Sequence, residues 1–269
     1  MIKAAVLGSP ISHSLSPLLH QAAYSFLGVD ASYEAIEVRS GGLSDFIEHL
    51  DPTWNAFSLT MPLKEELVKL GLKTSDLALR ISSANTLHKS AEGWFANTTD
   101  VEGFINALAM HQIPIEGNIV ILGAGATARA AAAACDSEQT QITVVTRSLS
   151  RIESMSKSIQ NSQLHFVDWN GIEVLNQADL VISTVPEGAT DAYVEDFPIS
   201  VAAPFFEVLY KPWPTLAAKT WASRGGRVID GLDLLIHQAM VQVEIFSGKS
   251  FDRGEMYTLL RKIGLEALI

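Results

Sequence analysis

Ile119-Val120-Ile121-Leu122-Gly123-Ala124-Gly125-Ala126-Thr127-Ala128-Arg129 is a short apolar run that leads into a glycine-rich turn and then into an alanine-rich stretch. In a strand, turn and helix context such as this one, a G-x-G-x-x-A pattern binds the pyrophosphate of a dinucleotide. Gly123 permits the tight turn, Gly125 lets an anion approach the backbone, and the first N–H groups of the helix attract it. An ordinary tight turn between a strand and a helix is the alternative. The predicted contacts with the dinucleotide are Gly123, Ala124, Gly125, Ala126, Thr127 and Ala128.

The end of the next predicted strand distinguishes the two nicotinamide cofactors. An acid there binds the ribose 2′-hydroxyl of NAD, and it would repel the 2′-phosphate of NADP. This chain has Arg147 instead, 24 residues past Gly123, and the first carboxylate after it is Glu153. Since a guanidinium favours the phosphate by roughly 10- to 100-fold, the sequence predicts NADP(H). Surface arginines are also common after strands. The predicted contacts at these strand ends are Thr146, Arg147, Ser148, Arg151 and Thr184.

Composition excludes several classes of protein. The 269 residues are 48% apolar, enough for one large α/β domain or two smaller ones, and the net charge of −11 would repel nucleic acid. Cys135 is the only cysteine, so the sequence offers neither an internal disulfide nor a thiolate metal site. No apolar run reaches the roughly 18 residues needed to span a bilayer, and the N-terminal apolar run is too short for a signal peptide. We therefore expect a cytoplasmic monomer or homodimer that binds a small molecule but no metal, nucleic acid or membrane.

Short apolar runs alternate with amphipathic stretches along the chain, a pattern typical of α/β folds with mainly parallel sheets. Strands are predicted at residues 3–7, 32–38, 55–60 and 85–88, and then at 118–122, 141–145, 164–167, 180–184, 203–208 and 227–230. Helices are predicted at residues 17–27, 42–50, 63–70 and 100–110. The later six strands match the number in a nucleotide-binding domain. From residue 231 the pattern is helical, and these helices fit either half of the chain.

The sequence therefore predicts two domains. Residues 1–100 with 238–269 are expected to form an open, mainly parallel α/β substrate-binding domain. Residues 101–237 are expected to form a Rossmann-type NADP-binding domain. The active site is expected in the cleft between them.

Four polar clusters precede the predicted nucleotide-binding domain, and each is interpreted as lying at the end of a strand. They are residues 8–17, 58–64, 83–87 and 96–103. Because ligands of open α/β sheets bind outside the carboxyl ends of strands, these clusters are expected to converge on one crevice. A lysine, an aspartate, an amide and several hydroxyls suit a small polyhydroxylated substrate that bears a carboxylate.

At these residues the chain resembles the shikimate dehydrogenase family, which reduces 3-dehydroshikimate to shikimate with NADPH on the route to chorismate and the aromatic amino acids. The matching motifs, in order, are H-S-x-S-P, T-x-P-x-K, A-N-T-L, T-D-x-x-G and G-A-G-x-x-A-R, followed by residues 208–212 and 235–239. No single motif is very specific, but their order and spacing together are. The resemblance runs nearly end to end.

The resemblance also implies roles for individual residues. The residues implied to bind substrate are Ser14 and Ser16 for its carboxylate, Thr60, Asn85 and Gln238 for its hydroxyls, and Tyr210 close to the nicotinamide. Lys64 and Asp100 would act at the reacting oxygen, with Lys64 supplying the proton that an alkoxide must gain. The alternatives are that Lys64 is a solvated helix residue and that Asp100 caps the helix at residues 101–110.

The chain departs from the usual family pattern in four segments. It has Ser58-Leu59-Thr60 for Asn-Val-Thr, Thr98-Thr99-Asp100 for Asn-Thr-Asp, Thr146-Arg147-Ser148 for Asn-Arg-Thr, and Gly231-Leu232-Asp233-Leu234 for Gly-x-Gly-Met. Asp233 is expected to put a negative charge near the nicotinamide. Two rival functions remain: a quinate/shikimate dehydrogenase with relaxed cofactor use, and a non-catalytic NADP-binding sensor. The missing acid at the second strand argues against NAD, and retention of Lys64 and Asp100 argues against the sensor.

Overall fold

The computed structural model describes residues 1–268 and divides them into two compact units. Unit 1 comprises Met1–Gly103 and the described residues from Leu235 onward, and unit 2 comprises Phe104–Leu234. The sequence predicted the domain boundaries after residues 100 and 237, three residues from each of these divisions.

Unit 1 is built on a six-stranded mixed sheet. Its strands are β1 (Ile2–Gly8), β2 (Ala31–Glu37), β3 (Ala56–Leu59), β4 (Lys73–Thr74), β5 (Thr86–Ser90) and β6 (Gly93–Asn97), in the order β2-β1-β3-β5-β6-β4. Strand β1 pairs in parallel with β2 and β3, and β4 pairs in parallel with β6. Strand β5 runs antiparallel to both β3 and β6. The sheet is therefore mainly parallel with one reversed strand.

Unit 2 is built on a six-stranded sheet in which every pairing is parallel. Its strands are β7 (Gly117–Leu122), β8 (Thr140–Val145), β9 (Gln163–Val167), β10 (Leu180–Ser183), β11 (Phe205–Glu207) and β12 (Val228–Ile229), in the order β12-β11-β10-β7-β8-β9. This is the doubly wound order of a Rossmann fold, in which the chain reverses direction across the sheet beside its first strand.

The strands of both sheets are connected mainly by helices. They are α1 (Ser16–Phe26), α2 (Leu43–Glu48), α3 (Lys64–Leu67), α4 (Asp76–Arg80), α5 (Asp100–Met110), α6 (Ala126–Ala134), α7 (Ile152–Lys157), α8 (Leu216–Ser223), α9 (Gly231–Ser247) and α10 (Arg253–Glu266). Three 3₁₀ helices lie at Leu149–Arg151, Trp169–Gln177 and Asp191–Asp196. Both boundaries between the units fall inside helices, in α5 and in α9. Among residues 1–268, no helix is long and apolar enough to cross a membrane.

Each unit has its own apolar core, in which the largest side chains are aromatic. In unit 1, Phe57 on β3 is fully buried, and its ring centroid lies 5.1 Å from that of Trp54. In unit 2, Trp221 on α8 is fully buried, 5.2 Å from the Phe205 ring, and its Nε1–H donates to the carbonyl of Ala203 at 2.8 Å. Truncating such a side chain to alanine costs about 3–5 kcal/mol.

The predicted fold class is confirmed, and each of the ten predicted strands is found within two residues of its predicted ends. The sequence did not predict β4, β6 or α4, and helix α3 is shorter than the predicted residues 63–70. Strand β6 escaped prediction because it begins at Gly93, whose φ of 106° belongs to the turn of a hairpin, and it ends in the polar residue Asn97.

Candidate active site

The sheet of unit 1 brings all four polar clusters to one edge. Strands β1 and β3 are parallel, so Thr60 follows β3 at the edge where β1 ends, and its N–H donates to the carbonyl of Leu7 at 2.9 Å. Strand β5 is antiparallel, so its start lies at the same edge, and Asn85 accepts there from the N–H of Leu59 at 2.8 Å. Strand β6 reverses again and ends opposite that start. The interpretation that every cluster lies at the end of a strand is therefore wrong for Asn85, which precedes a strand.

Lys64 and Asp100 form a buried ion pair at this edge. Lys64 begins α3, Asp100 begins α5, and the lysine Nζ lies 2.6 Å from the Asp100 Oδ2. The two side chains are 15% and 4% exposed. Because the ammonium is held by a buried carboxylate, the interpretation of Lys64 as a solvated helix residue is wrong. An ammonium held in this way can give up or regain a proton at one fixed place.

Asn85 connects this pair to two further residues, Gln238 and Thr99. The two protons of its Nδ2 face three acceptors, Asp100 Oδ1 at 2.9 Å, Thr99 Oγ1 at 2.9 Å and Gln238 Oε1 at 3.1 Å. Its Oδ1 accepts from the main-chain N–H of Thr99 at 2.8 Å. Since that N–H can only donate, it identifies the oxygen of the amide and directs the NH₂ group at the carboxylate. The structure thus brings together four predicted residues, namely Lys64, Asn85, Asp100 and Gln238, and adds Thr99, which the sequence did not single out.

Ser14, Ser16 and Thr60 lie on the segments that leave β1 and β3. The N–H of Ser16 donates to Ser14 Oγ at 3.3 Å, and the N–H of Ser14 donates to the carbonyl of Ile11 at 3.0 Å. A Cβ added to Gly8 would lie 2.4 Å from the Thr60 Cγ2, so Thr60 packs directly against the end of β1. Tyr210 lies in unit 2 between β11 and α8 and is half-buried. The roles of these four residues stay predictions.

The glycine-rich turn of unit 2 borders a cavity of about 370 Å³. Gly123 has a φ of 103°, and a Cβ there would lie 2.8 Å from Thr184 Oγ1, so only glycine fits. Gly125 precedes α6, and a Cβ added to it would meet nothing within 4 Å. The approach to the first N–H groups of α6 is therefore open to an anion. Residues that line the cavity are Gly123, Ala124, Gly125, Thr146, Arg147, Ser148, Arg151, Trp169, Val185, Pro186, Ala189 and Tyr193.

The charge of this cavity suits an anion. Of the described residues that line it, Arg147 and Arg151 are cationic and none is acidic. Arg147 is exposed, and beside it the buried Thr146 accepts from the N–H of Ser148 through its hydroxyl at 3.1 Å. Glycines that admit a pyrophosphate, a free helix N-terminus and a guanidinium rim are the groups that a phosphorylated dinucleotide requires, so the residues present fit one.

Four predicted cofactor residues do not line the cavity. Thr184 donates through its hydroxyl to the carbonyl of Leu122 at 2.8 Å, which supports the turn, and Ala128 is fully buried. Ala126 and Ala128 can contribute only through the N–H groups of the first turn of α6, whereas the half-buried Thr127 also has a hydroxyl. Conversely, the sequence missed Trp169 and Tyr193, whose stacked rings lie 4.8 Å apart at the cavity wall. Trp169 follows β9, so the rule that ligands bind at carboxyl ends of strands could have located it.

The chain is similar over nearly its whole length to proteins named shikimate dehydrogenase. The Hyphomonas neptunium protein named Shikimate dehydrogenase (NADP(+)) is 31% identical over 261 residues, which cover 96% of this chain and 96% of that protein. The chain belongs to the shikimate dehydrogenase family. Within that family, residues 6–87 match the substrate binding domain of shikimate dehydrogenase, and residues 107–194 match the model described as shikimate / quinate 5-dehydrogenase.

Solved structures of the shikimate dehydrogenase family share the fold. The Mycobacterium tuberculosis shikimate dehydrogenase is 34% identical, with a TM-score of 0.84 over 98% of this chain and 100% of that one. The Thermus thermophilus shikimate 5-dehydrogenase, solved in complex with NADP(H) and shikimate, is 28% identical, with a TM-score of 0.85 over the same shares. The resemblance inferred from the motifs is thus confirmed.

Asp233 is one position where this chain departs from the shikimate dehydrogenase family. Its carboxylate is buried in unit 2, and its Oδ2 lies 2.6 Å from His111 Nε2. The other ring nitrogen of His111 lies 2.6 Å from an Arg227 Nη2. The Asp233 carboxylate therefore accepts from a ring N–H within its own unit, and its effect near the nicotinamide stays a prediction.

Proposed function

We propose that this chain is an NADP-dependent shikimate dehydrogenase, which reversibly reduces 3-dehydroshikimate to shikimate on the route to chorismate and the aromatic amino acids. The observation that carries the proposal is the buried Lys64–Asp100 pair, held by Asn85 at the sheet edge of a family member. The named activity of its relatives supports the same reaction. A protein that only senses the cofactor would need neither member of the pair.

NADP(H) is the proposed cofactor, and when bound it supplies or accepts the hydride. The α6 N-terminus would hold its pyrophosphate, with Gly123 and Gly125 admitting that group to the backbone. Arg147 and Arg151 line the same cavity and would take the 2′-phosphate. The relatives named for NADP(+) and the complexes solved with NADP(H) support this choice.

In the proposed reaction, Lys64 moves the proton. Reduction of the ketone leaves negative charge on its oxygen, and Lys64 Nζ donates the proton that turns this oxygen into a hydroxyl. In the direction of oxidation, Lys64 takes the proton from that hydroxyl. Asp100 holds the ammonium through Oδ2 and is held in turn by Asn85 through Oδ1, so both oxygens of the carboxylate are occupied. A carboxylate fixed in this way orients the lysine instead of competing for the substrate proton.

Unit 1 is the proposed substrate-binding unit. Ser14 and Ser16 would donate to the substrate carboxylate, while Thr60, Asn85 and Gln238 would bind its hydroxyls. Tyr210 is the remaining proposed substrate contact. The cytoplasm is the proposed location, with a monomer or homodimer as the working form and small molecules as its ligands.

The test is an assay of the purified protein, in which formation of the reduced nicotinamide is followed with shikimate or quinate and with NADP⁺ or NAD⁺. We expect turnover of shikimate with NADP⁺ to be the fastest of the four combinations. Faster turnover of quinate would replace the proposal with the quinate/shikimate alternative. Binding of NADPH without turnover of either acid would favour the sensor.

A further inference from the structure

Gln242 lies on α9 one turn beyond Gln238 and is almost wholly buried at 1% exposure. Its Nε2 donates to the main-chain carbonyl of Asn85 at 3.1 Å and to the hydroxyl of Thr86 at 2.9 Å. A carbonyl can only accept, so this contact identifies the nitrogen of the Gln242 amide. Both of its N–H bonds therefore point toward the start of β5.

The oxygen of the same amide faces the other way, and its partners are equally well defined. It accepts from Ser58 Oγ at 2.7 Å and from His20 Nε2 at 3.3 Å. Tyr33 donates to the Ser58 hydroxyl at 2.6 Å, which leaves the Ser58 proton for Gln242. Burial lowers the pKa of His20 to about 3, so its ring is neutral and donates from Nε2 alone. Every polar atom of the Gln242 side chain thus has a partner.

Thr86 links the Gln242 amide to Asn85 and so to the candidate catalytic pair, Lys64 and Asp100. Because its hydroxyl accepts from Gln242, its own proton is available for Asn85 Oδ1, which it reaches at 2.9 Å. Asn85 Oδ1 therefore receives a second donor besides the Thr99 N–H. With its oxygen held twice, the Asn85 amide keeps its NH₂ group on Asp100 Oδ1. The donors run in one direction, from Tyr33 through Ser58, Gln242, Thr86 and Asn85 to Asp100.

We infer that Gln242 is a positioning residue for proton transfer by Lys64. Because Gln242 donates to the Thr86 hydroxyl, Thr86 donates to Asn85, and Asn85 in turn holds Asp100. This inference rests on the proposed function. Within residues 1–268, Gln242 forms no hydrogen bond with Lys64 or Asp100, and it acts on Asp100 through three successive hydrogen bonds, by way of Thr86 and Asn85. Loss of its N–H donors leaves the Thr86 hydroxyl and the Asn85 carbonyl buried with fewer partners, and the Asn85 amide is no longer held in one orientation.

The experiment compares Gln242→Met, which keeps the length of the side chain and removes its hydrogen bonds, with Ser58→Ala. Ser58→Ala breaks the network on the Tyr33 side but leaves both N–H donors of Gln242 in place. We expect Gln242→Met to lower kcat by about 10- to 100-fold with less than about a threefold change in the KM for shikimate, because the lost order affects proton transfer. Ser58→Ala should keep kcat within about threefold of the wild type. Binding of NADPH, measured by its fluorescence, should be equal in all three proteins.

A second measurement does not depend on turnover. The side-chain NH₂ of Asn85, assigned in NMR spectra by its loss in Asn85→Asp, should exchange with solvent slowly in the wild type and in Ser58→Ala. It should exchange at least about tenfold faster in Gln242→Met. If Gln242→Met does not fold, Thr86→Val, which removes only the relaying hydroxyl, should show the same loss of kcat and of protection.

The outcomes separate this inference from the proposed function. A folded Gln242→Met with wild-type kcat and wild-type protection of Asn85 overturns the inference, as does a Ser58→Ala protein that loses as much kcat as Gln242→Met. If the wild type does not turn over shikimate, the proposed function fails. The positioning role is then decided by protection of the Asn85 amide alone.

Discussion

The candidate sites of the two units are formed by different kinds of chemical group. In unit 1, direct hydrogen bonds join the buried side chains of Asp100 and Asn85 and the partly buried side chain of Lys64. In unit 2, the cavity is bordered by the backbone of a glycine-rich turn and by the exposed guanidinium of Arg147. Backbone groups and an exposed cation tolerate change at neighbouring positions, whereas a saturated buried network does not. We therefore expect single substitutions to damage chemistry most in unit 1 and to alter cofactor choice in unit 2.

The largest effect is expected at Lys64. Lys64→Ala should lower kcat by roughly 10²- to 10⁴-fold while the KM for shikimate changes much less, because proton donation matters mainly in the transition state. Lys64→Arg should not restore kcat, since a guanidinium stays protonated at neutral pH. Steady-state kinetics measures both values, and binding of NADPH should survive as a control. Retention of more than about half of kcat in Lys64→Ala would assign the proton to another group, with Asp100 acting through water the next to test.

The next effect is expected on the pH dependence of stability, at Glu207, a buried acid of unit 2 that contrasts with the buried Asp100 of unit 1. Asp100 is paired with a lysine, but the partners of Glu207 in unit 2 include the hydroxyls of Ser183 and Thr215 and the N–H of Leu209. Burial raises the pKa of Glu207 from 4.5 to about 7. The folded protein therefore keeps a proton that the unfolded chain loses between these two pH values, and this group makes stability fall as pH rises through that window.

Glu207→Gln tests this dependence, since the amide cannot ionise. Between pH 4 and pH 8 the free energy of unfolding of the wild type should fall relative to that of Glu207→Gln by an amount on the order of 2–3 kcal/mol. Urea unfolding followed by tryptophan fluorescence measures the difference at each pH. A constant difference between the two proteins from pH 4 to pH 8 would show that the pKa of Glu207 is the same in the folded and the unfolded chain.

A smaller effect is expected in the cavity of unit 2. Arg147→Ala should reduce the preference for NADP over NAD, measured as the ratio of kcat/KM, by at least about tenfold and chiefly through the KM for NADP. Its activity with NAD should change little, which serves as the internal control. If the ratio is unchanged, the 2′-phosphate binds elsewhere, and Arg151→Ala becomes the decisive variant.

The smallest effects are expected at the predicted carboxylate contacts. Ser14→Ala and Ser16→Ala should each raise the KM for shikimate by about three- to tenfold and leave kcat nearly unchanged. The substrate carboxylate is the same in the ground state and the transition state, so its contacts provide uniform binding. Loss of kcat at an unchanged KM in both variants would move these serines to the reacting end of the substrate.

The parts of the site that sequence predicted best are those that a local pattern specifies. The conformation of the turn at Gly123 and Gly125 depends only on neighbouring residues. A glycine at this place in a turn indicates a positive φ, which the structure shows at Gly123. The contacts of Gln242 could not be predicted in this way, because Asn85 lies 157 residues earlier in the chain. The residues next to Gln242 in the sequence do not indicate which distant groups its side chain will bond.

Strand direction limited the prediction in a similar way. An apolar run such as residues 85–88 predicts a strand but not whether its neighbours run with it or against it. Strand β5 runs antiparallel to β3 and continues through a short hairpin into β6, which was not predicted because of its polar and glycine residues. The prediction nevertheless placed Asn85 at the correct edge of the sheet. It took Asn85 to lie at the end of a parallel strand, whereas Asn85 precedes an antiparallel strand, and both arrangements put the residue at the same edge.

The position of helix α9 in the sequence decides which of the two units is fully synthesised first on the ribosome. Residues 104–234 of unit 2 are uninterrupted, whereas unit 1 is completed only by the chain from Leu235 onward. At about 5–20 residues per second, Gln242 is synthesised on the order of 10 s after Asn85. A nascent chain therefore holds the full sequence of unit 2 while Asn85 and Thr86 still lack their glutamine partner. Release of the chain just after Leu234 would yield a polypeptide with the complete sequence of unit 2 but without Gln238 and Gln242, so the hydrogen bonds around Asn85 could not all form.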